Sequence, residues 1–222
     1  MADTYRIPVA DAEEVSALAL RPPDARCLLV LAHGAGAGMT HPFLEVLADE
    51  LASAGVATLR YQFPYMERGR RRPDAPSVLT ATVRAAVRLA TEVAPDLPLL
   101  AGGKSMGGRM TSLTASQGAL PAVRGLAFFG FPLHPPGRPG TSRADHLAHV
   151  QVPMLFLQGT HDDFAPLELL RPICAALGAR ATLHTVDGAD HSFHVPKRSG
   201  RTDADVRREL VGTFVSWVRD CG

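Results

Sequence analysis

Two periods of apolar residues alternate along this chain. Short runs such as CLLVLAH (27–33), VATLRY (56–61), LPLLAGG (97–103), VRGLAFFG (123–130), VPMLFLQG (152–159) and ATLHTV (181–186) are almost continuously apolar. That is the pattern of strands buried on both faces. Between them, apolar residues recur three and four positions apart in 42–55, 77–93, 106–118, 166–178 and 203–220, which is the helical period. Ser77 is expected to cap the second of these helices. The alternation predicts an α/β fold: a mostly parallel central sheet with helices on both faces. The early segments TYRIPVA and VSALALRP, joined by an acidic turn, are expected to add an antiparallel hairpin at one edge. Residues 62–76 and 131–150 read as Pro-rich loops. No repeat or interdomain linker interrupts the pattern, so 1–222 reads as a single domain with no large cap domain.

Composition narrows the partners. A formal net charge of +1 gives no electrostatic footprint for nucleic acid or for a membrane surface. The N-terminus is polar and acidic, unlike a secretory leader, and the longest apolar runs are too short to span a bilayer. Cys27, Cys174 and Cys221 have neither metal-ligand nor disulfide spacing. A cytoplasmic protein with no metal and no organic cofactor is expected.

The chemistry concentrates in LPLLAGGKSMGGRM (97–110), where an apolar run enters a glycine cluster and a helix follows. Two chemistries use such a turn. A phosphate loop, G-x-x-x-x-G-K-[ST], would place its first glycine at position 98, and that residue is Pro98. The other pattern, G-x-S-x-G, fits Gly103-Lys104-Ser105-Met106-Gly107 directly. There a strained serine lifts its hydroxyl clear of the sheet edge, and side chains two residues to either side would collide.

A serine hydroxyl needs a base, and an imidazole base needs a carboxylate to fix its tautomer. Active-site groups of such sheets sit at the carboxyl ends of strands. The run 152–159 leads into QGTHDDFAP, which offers Asp162, with Asp163 as the neighbouring candidate. The run 181–186 leads into DGADHSFH, which offers His191, with His194 three residues on. The first long strand ends in AHGAGAGM (32–39), where His33 and Gly34 precede small residues. This suits an oxyanion loop, with N–H donors from Met106 and from Ala35 or its neighbour Gly36. A dinucleotide fingerprint would need a glycine at 39, which is Met39.

The motifs HGAGAGM, RYQFPY, GGKSMGGRM, QGTHDDF and GADHSF stand in the register of the α/β-hydrolase superfamily, which the chain resembles from about Cys27 onward. More narrowly it resembles the small lidless branch of bacterial predicted hydrolases related to dienelactone hydrolases. The resemblance implies Ser105 as nucleophile, Asp162 as acid and His191 as base. Dienelactone hydrolases proper carry cysteine at the position of Ser105, so their substrate does not transfer.

The expected function is a serine hydrolase of the esterase type acting on a small-molecule acyl substrate. A non-catalytic interaction module, an acyltransferase and a peptidase are the alternatives. Phe63 and Tyr65, at the start of QFPYMERGRRRPDAP, are expected to line the pocket, and Arg70, Arg71 and Arg72 are candidates to attract an anion. Arg109 is placed at the pocket mouth or on the outer helix face. The region 131–150 is expected to shape one wall without forming a helical cap.

Overall fold

A computed structural model of the chain describes residues 2–10, 13–135 and 137–220. The tip of the acidic turn (11 and 12) and Cys221 lie outside the described residues. The strands are β1 (Asp3–Ile7), β2 (Val15–Leu20), β3 (Cys27–Ala32), β4 (Val56–Tyr61), β5 (Leu99–Lys104), β6 (Val123–Phe129), β7 (Met154–Gly159) and β8 (Ala181–Val186). They form one sheet in the order β1-β2-β4-β3-β5-β6-β7-β8. The hairpin β1–β2 is antiparallel and joins β4 at the edge of the sheet, as expected for the two early segments. The remaining neighbours pair in parallel.

Strand β3 shows why the runs are continuously apolar. Successive side chains point to opposite faces. Leu28, Val30 and Ala32 enter one core cluster, and Cys27, Leu29 and Leu31 enter the other. The first cluster includes residues of α3 (Pro76–Val93), α4 (Met106–Ser116) and α5 (Leu167–Leu177). The second includes residues of α1 (Pro42–Ser53) and α6 (Asp203–Asp220). Cys27 and Cys174 are buried free thiols. Among the described residues no helix is long and apolar enough to cross a membrane.

Two local expectations are corrected. Helix α3 starts at Pro76 after Ala75, and Ser77 makes no cap. Proline sets the helical φ at the first position, where its missing N–H costs nothing, so the start needs no hydroxyl. The Pro-rich loops also hold local structure: a short helix α2 (Pro64–Glu67) and a 3-10 run (Ser142–His149).

The chain runs from β3 outward to β4, then returns to the other side of β3 as β5. That reversal opens a crevice at the carboxyl ends of β3 and β5, where ligands bind in open α/β sheets. The loop after β3 and the turn carrying Ser105 both start there.

Candidate active site

Ser105 joins β5 to α4 with φ +50° and ψ −116°, a conformation rarely adopted by a side-chain-bearing residue. Its flanking glycines are dictated by packing. A Cβ at Gly103 would lie 2.4 Å from the Ala32 carbonyl oxygen, and one at Gly107 would lie 2.6 Å from the carbonyl oxygens of Ala32 and His33. The turn is pressed against the end of β3, which brings the serine beside the loop that follows.

Three side chains from three strand ends converge. Ser105 Oγ lies 2.8 Å from His191 Nε2, and His191 Nδ1 lies 2.7 Å from Asp162 Oδ2. With Nδ1–H donated to the carboxylate, Nε2 is left to accept from the serine hydroxyl. Asp162 is fully enclosed at its side chain. Its Oδ1 accepts the Phe164 N–H at 2.8 Å, and its Oδ2 also accepts from Gln158 Nε2. Gln158 in turn accepts the Phe131 N–H at 2.9 Å. Of the two adjacent acids, Asp162 points inward and Asp163 is exposed. Of the two nearby histidines, His191 meets the serine, while His194 is exposed and pairs with Asp203 at 3.0 Å.

The His191 loop is held from both sides. The Asp190 carboxylate accepts the N–H groups of Ser192 and His194 at 2.8 and 2.9 Å. Lys104 Nζ donates to the His191 carbonyl at 2.6 Å and lies 5.5 Å from the Phe193 ring centroid. Burial pushes the Lys104 amine down to about 8, against the pull of Asp162 and Asp190.

His33 fixes the loop after β3. Its Nε2 accepts the Phe63 N–H at 3.1 Å, so Nδ1 carries the proton and donates to the Gly34 carbonyl at 2.7 Å. Burial pushes this imidazole down to about 4, which keeps it neutral. The Gly36 N–H is taken by the Tyr65 hydroxyl at 3.2 Å. Ala35 lines the cavity beside Ser105 and Met106, and among the described residues its N–H has no hydrogen-bond partner.

A cavity of about 550 Å³ lies over Ser105 and His191. Phe43, Leu44, Leu79, Pro132 and Phe164 give it a mainly apolar wall. Phe63 and Tyr65 do not line it, contrary to the sequence expectation: both are fully buried. They pack against His33, with ring centroids 4.9 and 6.0 Å away, and so support the loop after β3 from beneath. Arg70, Arg71 and Arg72 are exposed outside the cavity. Its cationic lining comes from Lys104, Arg109 and Arg143 instead. Pro132 and Arg143 make the region 131–150 one wall, as expected.

Sequence reasoning passed over Gln158, Lys104 and Arg143. Gln158 left a signal, a polar residue inside an otherwise apolar strand. Lys104 carries no signal of its own within the G-x-S-x-G pattern, where its position accepts any residue. Among the described residues no group of three His, Cys, Asp or Glu side chains is placed to hold a metal ion.

Comparison with known proteins agrees with this fold. A family described as alpha/beta hydrolase domain matches residues 25–219. The fold resembles a dienelactone hydrolase from Anabaena variabilis (TM-score 0.76, 19% identity, 97% of each chain covered). It also resembles an α/β serine hydrolase homologue from Coxiella burnetii (TM-score 0.76, 20% identity, 95% of this chain and 96% of that one). A third similar structure is an α/β serine hydrolase without a lid from Xanthomonas campestris (TM-score 0.75, 19% identity, 97% of this chain and 94% of that one).

Proposed function

This chain belongs to the alpha/beta hydrolase domain family, and on that premise we propose that it is a serine esterase acting on small acyl substrates. The observation that carries the reading is the unbroken hydrogen-bond chain Ser105–His191–Asp162, at 2.8 and 2.7 Å, at the floor of an open cavity.

In this reading Ser105 Oγ attacks the ester carbonyl as its proton passes to His191 Nε2. The carbonyl π electrons move onto oxygen, and the N–H groups of Met106 and Ala35 stabilise that oxyanion. Losing one such donor costs about 3 kcal/mol of transition-state stabilisation in serine hydrolases. The C–O bond to the leaving alcohol then breaks, and the imidazolium returns its proton to the alcohol. Asp162 holds the ring and stabilises its charged form throughout. Water repeats the sequence on the acyl-enzyme and releases the acid. The position of Ser105 after a strand and before α4 also directs free helix N–H groups toward the developing charge.

The cavity supports small substrates. Its volume suits a compact acyl group, and the 3-10 run at Ser142–His149 forms a wall without a helical cap. The test is a fluorophosphonate probe combined with p-nitrophenyl esters. Wild type is expected to label at Ser105 and to cleave acetate and butyrate faster than palmitate. Ser105→Ala is expected to lose labelling and turnover while keeping its melting temperature. Full turnover in Ser105→Ala refutes the nucleophile assignment, and a preference for palmitate refutes the small-substrate assignment.

A further inference from the structure

The cavity carries two guanidinium groups that the acyl-transfer chemistry does not use. Arg109 lies four residues after Ser105 on α4, and its N–H bonds the Ser105 carbonyl at 3.1 Å. Residues four apart share one helix face, and a helical side chain leans toward the N-terminus. Arg109 is therefore on the nucleophile's face and leans back toward it. Arg143 reaches the same cavity from the 3-10 run, which is tied to α4 by the 2.7 Å contact between Ser112 Oγ and His146 Nε2.

Among the described residues, no ion pair includes Arg109 or Arg143. Arg109 Nε is buried with no hydrogen-bond partner. The acids nearby are otherwise placed. Asp74, also in the cavity wall, pairs with Arg68 through Oδ1 at 2.7 Å, while its Oδ2 is buried without a hydrogen-bond partner. Asp145 is exposed and lines a separate surface cavity with Thr141 and Ile173. Burial, and then the Arg143 charge, push Arg109 below its usual range. Burial and the Arg109 charge bring His146 down to about 4, so it adds no positive charge and takes none away. Two like charges held together in a partly desolvated wall are destabilising unless an anion joins them. Guanidinium forks match oxyanions bidentately, and such pairs are the strong ones.

We propose that Arg109 and Arg143 form a subsite for an ionised oxyanion, carboxylate or phosphate, carried by the ester substrate cleaved at Ser105. The proposal rests on the serine esterase reading and supplies its substrate class: small esters bearing a second, anionic group. The apolar wall then accommodates the short carbon chain between the two groups.

The test compares kcat/KM for four esters of similar size: neutral ethyl pentanoate, monoethyl glutarate, carboxymethyl butanoate and ethyl 3-phosphonopropanoate. The second and third place a carboxylate on the acyl and leaving sides respectively, and the fourth replaces carboxylate by phosphonate. Wild type is expected to prefer at least one anionic ester over ethyl pentanoate by tenfold or more. Arg143→Gln and Arg109→Gln are each expected to lower that ratio about tenfold, with fluorophosphonate labelling of Ser105 reporting that the site remains folded. Labelling and ethyl pentanoate cleavage without an anionic preference overturn the subsite and leave the esterase reading standing. A preference that persists in both variants also overturns it. Absence of both labelling and ester cleavage in wild type overturns the esterase reading, and the subsite with it.

Discussion

Replacing Lys104 with methionine separates stability from catalysis. Methionine keeps the unbranched stem and much of the volume but removes the ammonium. Two effects oppose each other. The wild-type amine is buried and pushed down to about 8, so its protonated form destabilises the folded state at neutral pH. The difference between 10.5 and about 8 corresponds to up to roughly 3 kcal/mol at 1.36 kcal/mol per pH unit. Against this, Lys104→Met loses a charged hydrogen bond to the His191 carbonyl, worth about 1.5–3 kcal/mol. The two nearly cancel, so stability at pH 7 is expected to stay within about 1 kcal/mol of wild type.

Catalysis has no such compensation. The bond at 2.6 Å fixes the backbone of His191, the proposed base. Releasing it is expected to lower kcat by about 10–100-fold, because small misplacements of a reacting group cost that much. The pH dependence distinguishes this from a general loss of structure. The unfolded lysine holds its proton up to about 10.5 while the folded one releases it near 8. Wild-type stability therefore rises between these values, and activity is expected to fall above pH 8 as the charged bond weakens. Both slopes should vanish in Lys104→Met. Urea unfolding at pH 7, 8 and 10, together with kcat profiles on p-nitrophenyl acetate corrected for spontaneous hydrolysis, measures all of this. A variant with wild-type kcat and an unchanged pH profile refutes the positioning argument.

Gln158→Leu leaves the buried Phe131 N–H unsatisfied and takes one donor from the Asp162 carboxylate; it is expected to lose about 2–4 kcal/mol in urea unfolding and to slow turnover roughly tenfold. Gly107→Ala drives a methyl group to 2.6 Å from the carbonyl oxygens of Ala32 and His33; thermal melts are expected to show a loss of about 3 kcal/mol or more, with α4 displaced from β3. His33, held near 4 against an ordinary 6.5, is uncharged when folded, so stability is intact above pH 6.5 and lost as pH falls toward 4. That loss amounts to roughly 3 kcal/mol, and His33→Asn should flatten this part of the stability–pH curve.

The fold and the three converging side chains were legible in the sequence because their signals are local. A strand buried on both faces must be apolar throughout, and a turn jammed against β3 must be glycine at 103 and 107. An acid and a histidine following two successive strand ends can be found by counting. Which of two adjacent acids turns inward could not be. The Asp162 N–H bonds the Gly159 carbonyl and the Ala165 N–H bonds the Asp162 carbonyl, and this tight turn aims Asp162 at His191 while leaving Asp163 exposed. Phe63 and Tyr65 misled for a similar reason. Their types suit a pocket wall as well as a core, and only the helix Pro64–Glu67 decides that they pack beneath the loop.

What stayed hidden shares one physical property: a polar side chain that fixes the backbone of a distant loop. His33 bridges Gly34 to Phe63, Lys104 reaches a carbonyl 87 residues away, and Gln158 links the Phe131 N–H to Asp162. Each residue type advertises a donor or acceptor, but nothing in spacing names the partner, because the partner is a peptide group that every residue carries. Such bonds therefore set the relative height of the loops after β3, β6, β7 and β8 without leaving a motif. The cavity arginines add the converse case. Both guanidinium-bearing residues line the cavity, and the packing around Arg109 offers its Nε no acceptor among the described residues, so the group that would satisfy this wall is not a peptide that spacing could name.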